Sequence, residues 1–298
     1  MTGSGLPPAR VVSREGLRTP IAIVGAGGML GRAMRELLAA RALPCRAFPR
    51  AELDICSPAS VAALAAYPTV INCAAWTDVD GAETNEHGAN QLNADAVGVL
   101  GDQCRAAGAT LVHFGTDYVF SGVAASPYPL DAAIAPLNAY GRSKAAGEVV
   151  LSEQIGRGLR VLYARTSWLY APWGKNFVRT IAAASATRPQ LKVVDDQRGR
   201  PTSSLHLARC TLALLERGVE GVTHLTDGGE CTWFGFASEI VRVLGRSCHV
   251  APCSSAEFPR PAPRPSYSVL DLSNAEGILG RKLGPWQENL AETLAVLE

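Results

Sequence analysis

One junction constrains this chain more than any other feature. Ile21-Ala22-Ile23-Val24, an apolar run suited to a strand buried on both faces, enters the cluster Gly25-Ala26-Gly27-Gly28-Met29-Leu30-Gly31. Leu30, Ala33, Met34, Leu37 and Leu38 then recur at the spacing of a helix's core stripe. Glycines between a strand and a helix at this spacing suit a dinucleotide loop. Gly25 allows the tight turn, Gly28 lets backbone approach a pyrophosphate, and Gly31 allows close helix packing. The helix start adds free N–H groups and a positive dipole.

The alternation continues. Strands are expected at 45–48, 70–75, 111–114, 161–164 and 222–225. Helices are expected from Ser57-Pro58 through Tyr67, over 88–107, and from a cap at Asn138 to about Ile155, with Gly156 beyond its end. Strand and helix in turn give an α/β fold, a doubly wound parallel sheet of Rossmann-like kind. Residues 1–19 read as a flexible extension and 20–170 as the dinucleotide-binding domain. Residues 203–227 read as returning to its sheet, and 171–298 mainly as a smaller C-terminal substrate-binding lobe, rich in proline from Pro252 to Pro265.

Hydrophobic residues make up 47% and charged residues 18% of the 298, so a large core is expected and disorder is not. The net charge of +1 leaves no electrostatic footprint for nucleic acid or an anionic membrane. No apolar run approaches a membrane span, and the first twenty residues lack the apolar stretch of a signal peptide, so a cytoplasmic location is expected. The eight cysteines form no CxxC pair, and Cys248, His249 and Cys253 match no common zinc spacing, so no metal is expected.

The residues that carry chemistry follow. No acid follows the second strand, where a ribose 2′-hydroxyl is usually held; Phe48-Pro49-Arg50 stands there, and Arg32 follows the third glycine. Either arginine suits a 2′-phosphate, or both are solvated surface charges. NADPH is therefore the expected cofactor, with NADH the other candidate. Asp54 sits farther on, where the adenine would lie. Tyr140 and Lys144, at i and i+4, share one face of the helix capped by Asn138. A tyrosine donates a proton to a carbonyl oxygen more readily when a cation one turn away lowers its pKa. Thr116 ends a strand at the sheet's carboxyl edge and suits the substrate carbonyl; Thr116 or Asp117 would alternatively cap the next turn.

Together these residues resemble the extended short-chain dehydrogenase/reductase family. Further strings narrow the resemblance to the dTDP-4-dehydrorhamnose reductases: Asn72 to Asp80, Thr116-Asp117-Tyr118-Val119-Phe120, Pro136 to Gly141, Arg165 to Tyr170, Asn176-Phe177 and Asp196 to Thr202. The resemblance covers about residues 20–296. It implies a reductase of the 4-keto group of a nucleotide-activated 6-deoxysugar. Tyr140 would be the proton donor, Lys144 its partner and ribose ligand, and Thr116 the group bonded to the carbonyl. Gly28, Met29 and Leu30 would meet the pyrophosphate, Asp54 and Ile55 the adenine side, and Cys73, Ala74, Ala75 and Trp76 the cofactor's inner half. Asp117 and Trp168 would touch the sugar, and Asn176 and Phe177 the nucleotide.

The chain departs from the family at Gly115, where serine is frequent, and at Trp76, where a smaller or more polar residue is usual. Ala33 stands where some members carry an acid for a magnesium-bridged dimer, so a monomer or a homodimer without that bridge is expected. The 4,6-dehydratases of this fold need an acid at the position of Tyr118, and epimerases lack the Thr116–Phe120 and Arg165–Trp168 strings. A regulatory homologue that binds NADP without turnover has no chemical need of Thr116, Tyr140 and Lys144 together.

Overall fold

A computed structural model of the chain describes residues 5–12 and 16–297. Its centre is a seven-stranded sheet of β1 (Arg10–Val11), β2 (Ile21–Val24), β3 (Cys45–Phe48), β4 (Thr69–Asn72), β5 (Thr110–Thr116), β6 (Arg160–Thr166) and β11 (Val219–His224). The order is β1-β11-β6-β5-β4-β2-β3, and every neighbouring pair is parallel except β1 with β11. The chain runs outward from β2 to β3 and then returns to β4 on the other side of β2. The order therefore reverses between β2 and β4, and ligands of such sheets bind outside the carboxyl ends at that reversal.

Helices cover both faces, as buried parallel strands require. On one side α1 (Met29–Ala40) packs on α8 (Ser204–Glu216) in a core holding Ile21, Ile23, Met34, Leu38, Val112 and Leu207. On the other side α5 (Ala96–Ala106) packs on α6 (Ala139–Ile155), over Ala22, Val24, Val70, Leu111 and Val161. Alternate strand residues thus serve opposite cores. The shorter α2 (Pro58–Val61), α3 (Val79–Thr84) and α4 (Glu86–Asn90) line the second face and the approach to the site.

The smaller lobe holds the two-stranded pairs β8 (Gln190–Val194) with β13 (His249–Cys253) and β9 (Arg198–Gly199) with β12 (Cys231–Thr232). Around them lie α7 (Phe177–Thr187), α9 (Trp233–Val243) and α11 (Trp286–Ala295). Its core is aromatic and separate, built on Phe236, Trp286, Ile240 and Leu290. A third pair, β7 (Leu169–Tyr170) with β10 (Thr202–Ser203), joins the lobe to the end of β6.

Four sequence expectations change. The stretch before residue 20, read as a flexible extension, supplies β1: Arg10 and Val11 pair with Glu220 and Val219, and Leu6 and Ala9 are buried. The outer edge of β11 has open backbone groups that this segment satisfies, and Gly221, at φ +107°, lets Pro7 and Pro8 approach where a Cβ would collide. The strand expected to Ala75 stops at Asn72, whose side-chain oxygen accepts from Ala74 N and turns the chain. The helix expected over 88–107 is interrupted by a π-helical turn, Gln91–Asp95, which brings Asn93 inward between the Trp76 backbone and Ser143. Finally, α10 (Ser273–Leu279), expected in the lobe, packs Ala275 and Leu279 into the core shared by α1 and α8.

Candidate active site

The glycine loop closes the first strand–helix junction. Gly25 takes φ +72°, and a Cβ there would stand 2.6 Å from Ala74 N, so only glycine lets the loop lie against the end of β4. A Cβ on Gly31 would strike the Gly25 carbonyl oxygen, which fixes α1 close to the loop. Gly28 is the N-cap of α1 with no side-chain cap, and Gly27 faces open space. First-turn N–H groups, those of Met29 and Leu30 among them, have no carbonyl partner within the helix. An uncapped helix start under an open glycine cradle fits a pyrophosphate.

The flanking residues divide. Arg32 is bonded to Glu36 at 2.8 Å and its guanidinium lies 4.1 Å from the centre of the Trp173 ring, so it is engaged within the fold. Arg50 is exposed beyond β3. Asp54 accepts from Cys56 N at 3.0 Å and shapes its own turn, and Ile55 is buried beside Phe48, Leu53 and Val61. Cys73, Ala74 and Ala75 continue from β4 across the reversal point to Trp76, which packs beside Tyr140.

Asn138 caps α6 by accepting from Gly141 N at 2.8 Å, and it also donates to Pro263 O. That cap fixes the first turn, so Tyr140 and Lys144 face the end of β5. The Tyr140 phenol lies near enough to Thr116 for that hydroxyl to pull its pKa down against burial. Thr116 Oγ1 donates to Asp117 Oδ1 at 3.1 Å and accepts from Tyr118 N. Thr116 is thus both the end of β5 and the cap of the turn after it. Lys144 Nζ donates to Phe114 O at 2.7 Å and lies 3.4 Å from His113 Nε2.

The electrostatics differ from the sequence expectation. Burial pushes Tyr140 up to about 12, with Thr116 pulling against it, and Lys144 is not among the groups that move it. The lysine spends its amine on the Phe114 carbonyl, and its own pKa falls to about 8 because burial disfavours the ammonium form. In this state the phenol is held protonated, as a donor. Burial also raises Asp117 to about 7, with the nearby Ser268 and Thr116 hydroxyls pulling against it, and no donor comes within hydrogen-bond distance of its buried Oδ2. An unpaired buried carboxyl oxygen is costly unless a ligand supplies the donor.

The substrate side contains a partner that the sequence reading missed. Trp168, at φ +45°, stacks on Trp233 with ring centres 3.6 Å apart, and Phe177 lies 4.6 Å from the same ring. Gly199 sits under the Trp168 edge, where a Cβ would stand 2.5 Å from the indole. Trp168 and Phe177 are half-buried, at the border between lobe core and open surface. Trp233 follows Thr232, a helix-cap position, and nothing in its local sequence marks it as facing Trp168.

Asn176 takes a different role from the one expected. Its oxygen accepts from Arg179 N, and its amide donates to the carbonyls of Ala171, Trp173 and Gly174, so it caps α7 and pins the loop before it. Its amide nitrogen is thereby committed to the loop, and one lone pair of its oxygen to the cap. Gly115 also gains an explanation: the Tyr163 ring lies over it, and an added Cβ would stand 2.5 Å from Cε1 and 2.6 Å from the hydroxyl.

Beneath the site, α6 carries Glu148 one turn beyond Lys144. The Arg165 guanidinium bonds both Glu148 oxygens, at 3.0 and 2.8 Å, and also reaches Leu130 O and His224 Nε2. No helix among the described residues is long and apolar enough to cross a membrane.

Comparison with known proteins bears on this geometry. The model of one family, described as the RmlD substrate binding domain, matches residues 19–298. A probable dTDP-4,6-dihydroxy-2-methyloxan-3-one 4-ketoreductase of Streptomyces antibioticus is 41% identical over 276 residues, which cover 91% of this chain and 92% of the relative. The crystal structure of a dTDP-4-dehydrorhamnose reductase from Clostridium acetobutylicum superposes with a TM-score of 0.88 at 37% identity, over 93% of this chain and 99% of that one. A dTDP-4-dehydrorhamnose reductase from Bacillus anthracis, solved in complex with NADP, also gives 0.88, at 33% identity over 92% and 98%.

Proposed function

The chain belongs to the RmlD substrate-binding-domain family, and from that premise we propose that it reduces the 4-keto group of a nucleotide-activated 6-deoxysugar, a dTDP-sugar, in the cytoplasm. The observation that carries this reading is the meeting of Thr116 and Tyr140 at the carboxyl end of β5, with Lys144 one turn along α6. NADPH, when bound, supplies the hydride. Thr116 orients the carbonyl by turning its one hydroxyl hydrogen from Asp117 Oδ1 to the carbonyl oxygen. Tyr140, kept protonated by burial, gives its proton to that oxygen as the C–H bond forms.

Binding follows from the same residues. The backbone at Gly28, Met29 and Leu30 takes the pyrophosphate, and Arg50 takes the 2′-phosphate, since Arg32 is already paired with Glu36 and stacked on Trp173. The Asp117 oxygen that lacks a donor suits a sugar hydroxyl. The indole of Trp168, backed by Trp233, against which Phe177 also packs, suits the apolar face of the sugar. Ala33 is buried and offers no ligand to a magnesium-bridged dimer, so the assembly is a monomer or a homodimer held by other contacts.

The test is product analysis after incubation with dTDP-4-keto-6-deoxysugars and NADPH, with NADH in parallel. Reduction at C4 and tighter binding of NADPH are expected. In Tyr140→Phe, turnover should fall by ~10²-fold or more, the low end for a positioned acid, with cofactor affinity little changed. Cofactor binding without turnover of any keto-sugar would overturn the assignment.

A further inference from the structure

Behind the reaction centre lies a line of three buried polar side chains. Asn72, His113 and Lys144 are 1%, 2% and 2% exposed. Asn72 ends β4, His113 lies in β5, and Lys144 reaches them from α6. The polarity of the line is fixed at its far end. Ala74 N donates to Asn72 Oδ1 at 3.0 Å, so the amide nitrogen of Asn72 must face His113 Nδ1, which it does at 3.0 Å. An amide nitrogen only donates, so Nδ1 is the acceptor and carries no proton. Burial holds the imidazole neutral, so its one proton is on Nε2. That N–H points at Lys144 Nζ, 3.4 Å away.

An ammonium group has donors only, and two donors facing each other in a dry interior repel. The amine has a lone pair to accept Nε2–H while still donating to Phe114 O. We propose that Asn72 and His113 are positioning residues that lower the proton affinity of Lys144, so that its amine is more accessible than that of an ordinary lysine.

The remaining groups around Nζ are compatible with this. Glu148, one turn on, favours the ammonium, but both its oxygens are held by Arg165. Tyr140 and Tyr163 are neutral phenols raised by burial, and Asp117, beyond Thr116, is raised towards 7. Desolvation, which already moves Lys144 to about 8, acts in the same direction as the imidazole. With a midpoint near 8, Lys144 changes charge just above neutral pH and responds to any charge placed near it. The effect on turnover rests on the proposed reductase reading; the midpoint itself does not.

The experiment is a titration of the full-length protein carrying 13C-labelled lysine, followed by NMR at Cε, with Lys144→Met to assign the resonance. Lys144 should titrate near pH 8, apart from the other lysines. In His113→Gln the side-chain oxygen is free to turn to Nζ, and the midpoint should move up by about one pH unit or more. The high-pH limb of turnover should move with it, while the KM for keto-sugar stays the same. Should His113→Gln fail to fold, Asn72→Asp serves instead: its carboxylate draws the proton to Nδ1, turns the Nε2 lone pair to the amine, and should move the midpoint up. A Lys144 midpoint among those of ordinary lysines, or one unmoved in a folded variant, overturns the proposal. The NMR shift in a protein that reduces no keto-sugar would uphold the positioning pair and reject the reductase reading.

Discussion

Two buried charges sit one turn apart on the same face of α6, and their surroundings are opposite. Glu148 is wholly buried, and a guanidinium grips both its oxygens. Lys144, just as deep, meets a carbonyl and a neutral imidazole; among the described residues no carboxylate lies within ion-pairing distance. A matched buried pair resists change, because removing one member strands the other in a medium that cannot solvate it. A buried amine without a counter-charge has a pKa displaced by its surroundings and responds to any charge placed near it. The same helix therefore carries an anchor on one turn and a responsive group on the turn before.

The sharpest way to break this contrast is to cut the anchor. Glu148→Ala should destabilise the fold by about 3–5 kcal/mol, the cost of an orphaned buried arginine, seen as a large fall in Tm or in the denaturant midpoint. If Tm hardly moves, the pair is not an anchor. The responsive group should behave in the reverse manner. Lys144→Met, near in volume and without charge, should leave Tm unchanged or raise it, while turnover falls by ~10²-fold or more. A strongly destabilised Lys144→Met protein would erase the distinction.

Asp117 sharpens the contrast with a smaller effect. Burial raises its carboxyl from 3.8 to about 7, so the fold accommodates the protonated form. The stability it contributes is full below about pH 4 and is lost as pH rises through 7. Asp117→Asn keeps the shape and removes the titration. It should flatten the pH dependence of Tm between those limits, with a gain of roughly a few degrees at the upper end. An unchanged slope would mean that Asp117 is solvated, or paired, in a way its orphaned Oδ2 does not suggest.

What the sequence made legible were the features that a local pattern can carry. Gly25 and Gly31 announce a loop pressed against its own helix, and Asn138 followed by Tyr140 and Lys144 announces a capped helix with two groups on one face. What it left hidden arises from contacts between distant segments. Asn176 reads as a polar residue free to meet a ligand until its loop folds back and engages its amide nitrogen. Trp168 has no visible partner, because Trp233 lies at the start of α9, 65 positions on. His113 is one more residue in an apolar strand until Asn72, a strand away, orients its ring. The edge strand β1 was invisible because two residues carry no period, and only the open edge of β11 gives them a structure.

The close approach of Tyr163 to Gly115 carries a consequence for how this site is able to diverge. Position 115 lies between His113 and Thr116, and its lack of a side chain is what admits an aromatic ring from β6. A serine at 115 requires the Tyr163 ring to move, so the two positions are sterically coupled. Grafting the more frequent serine onto this chain should cost less when residue 163 is made smaller in the same variant.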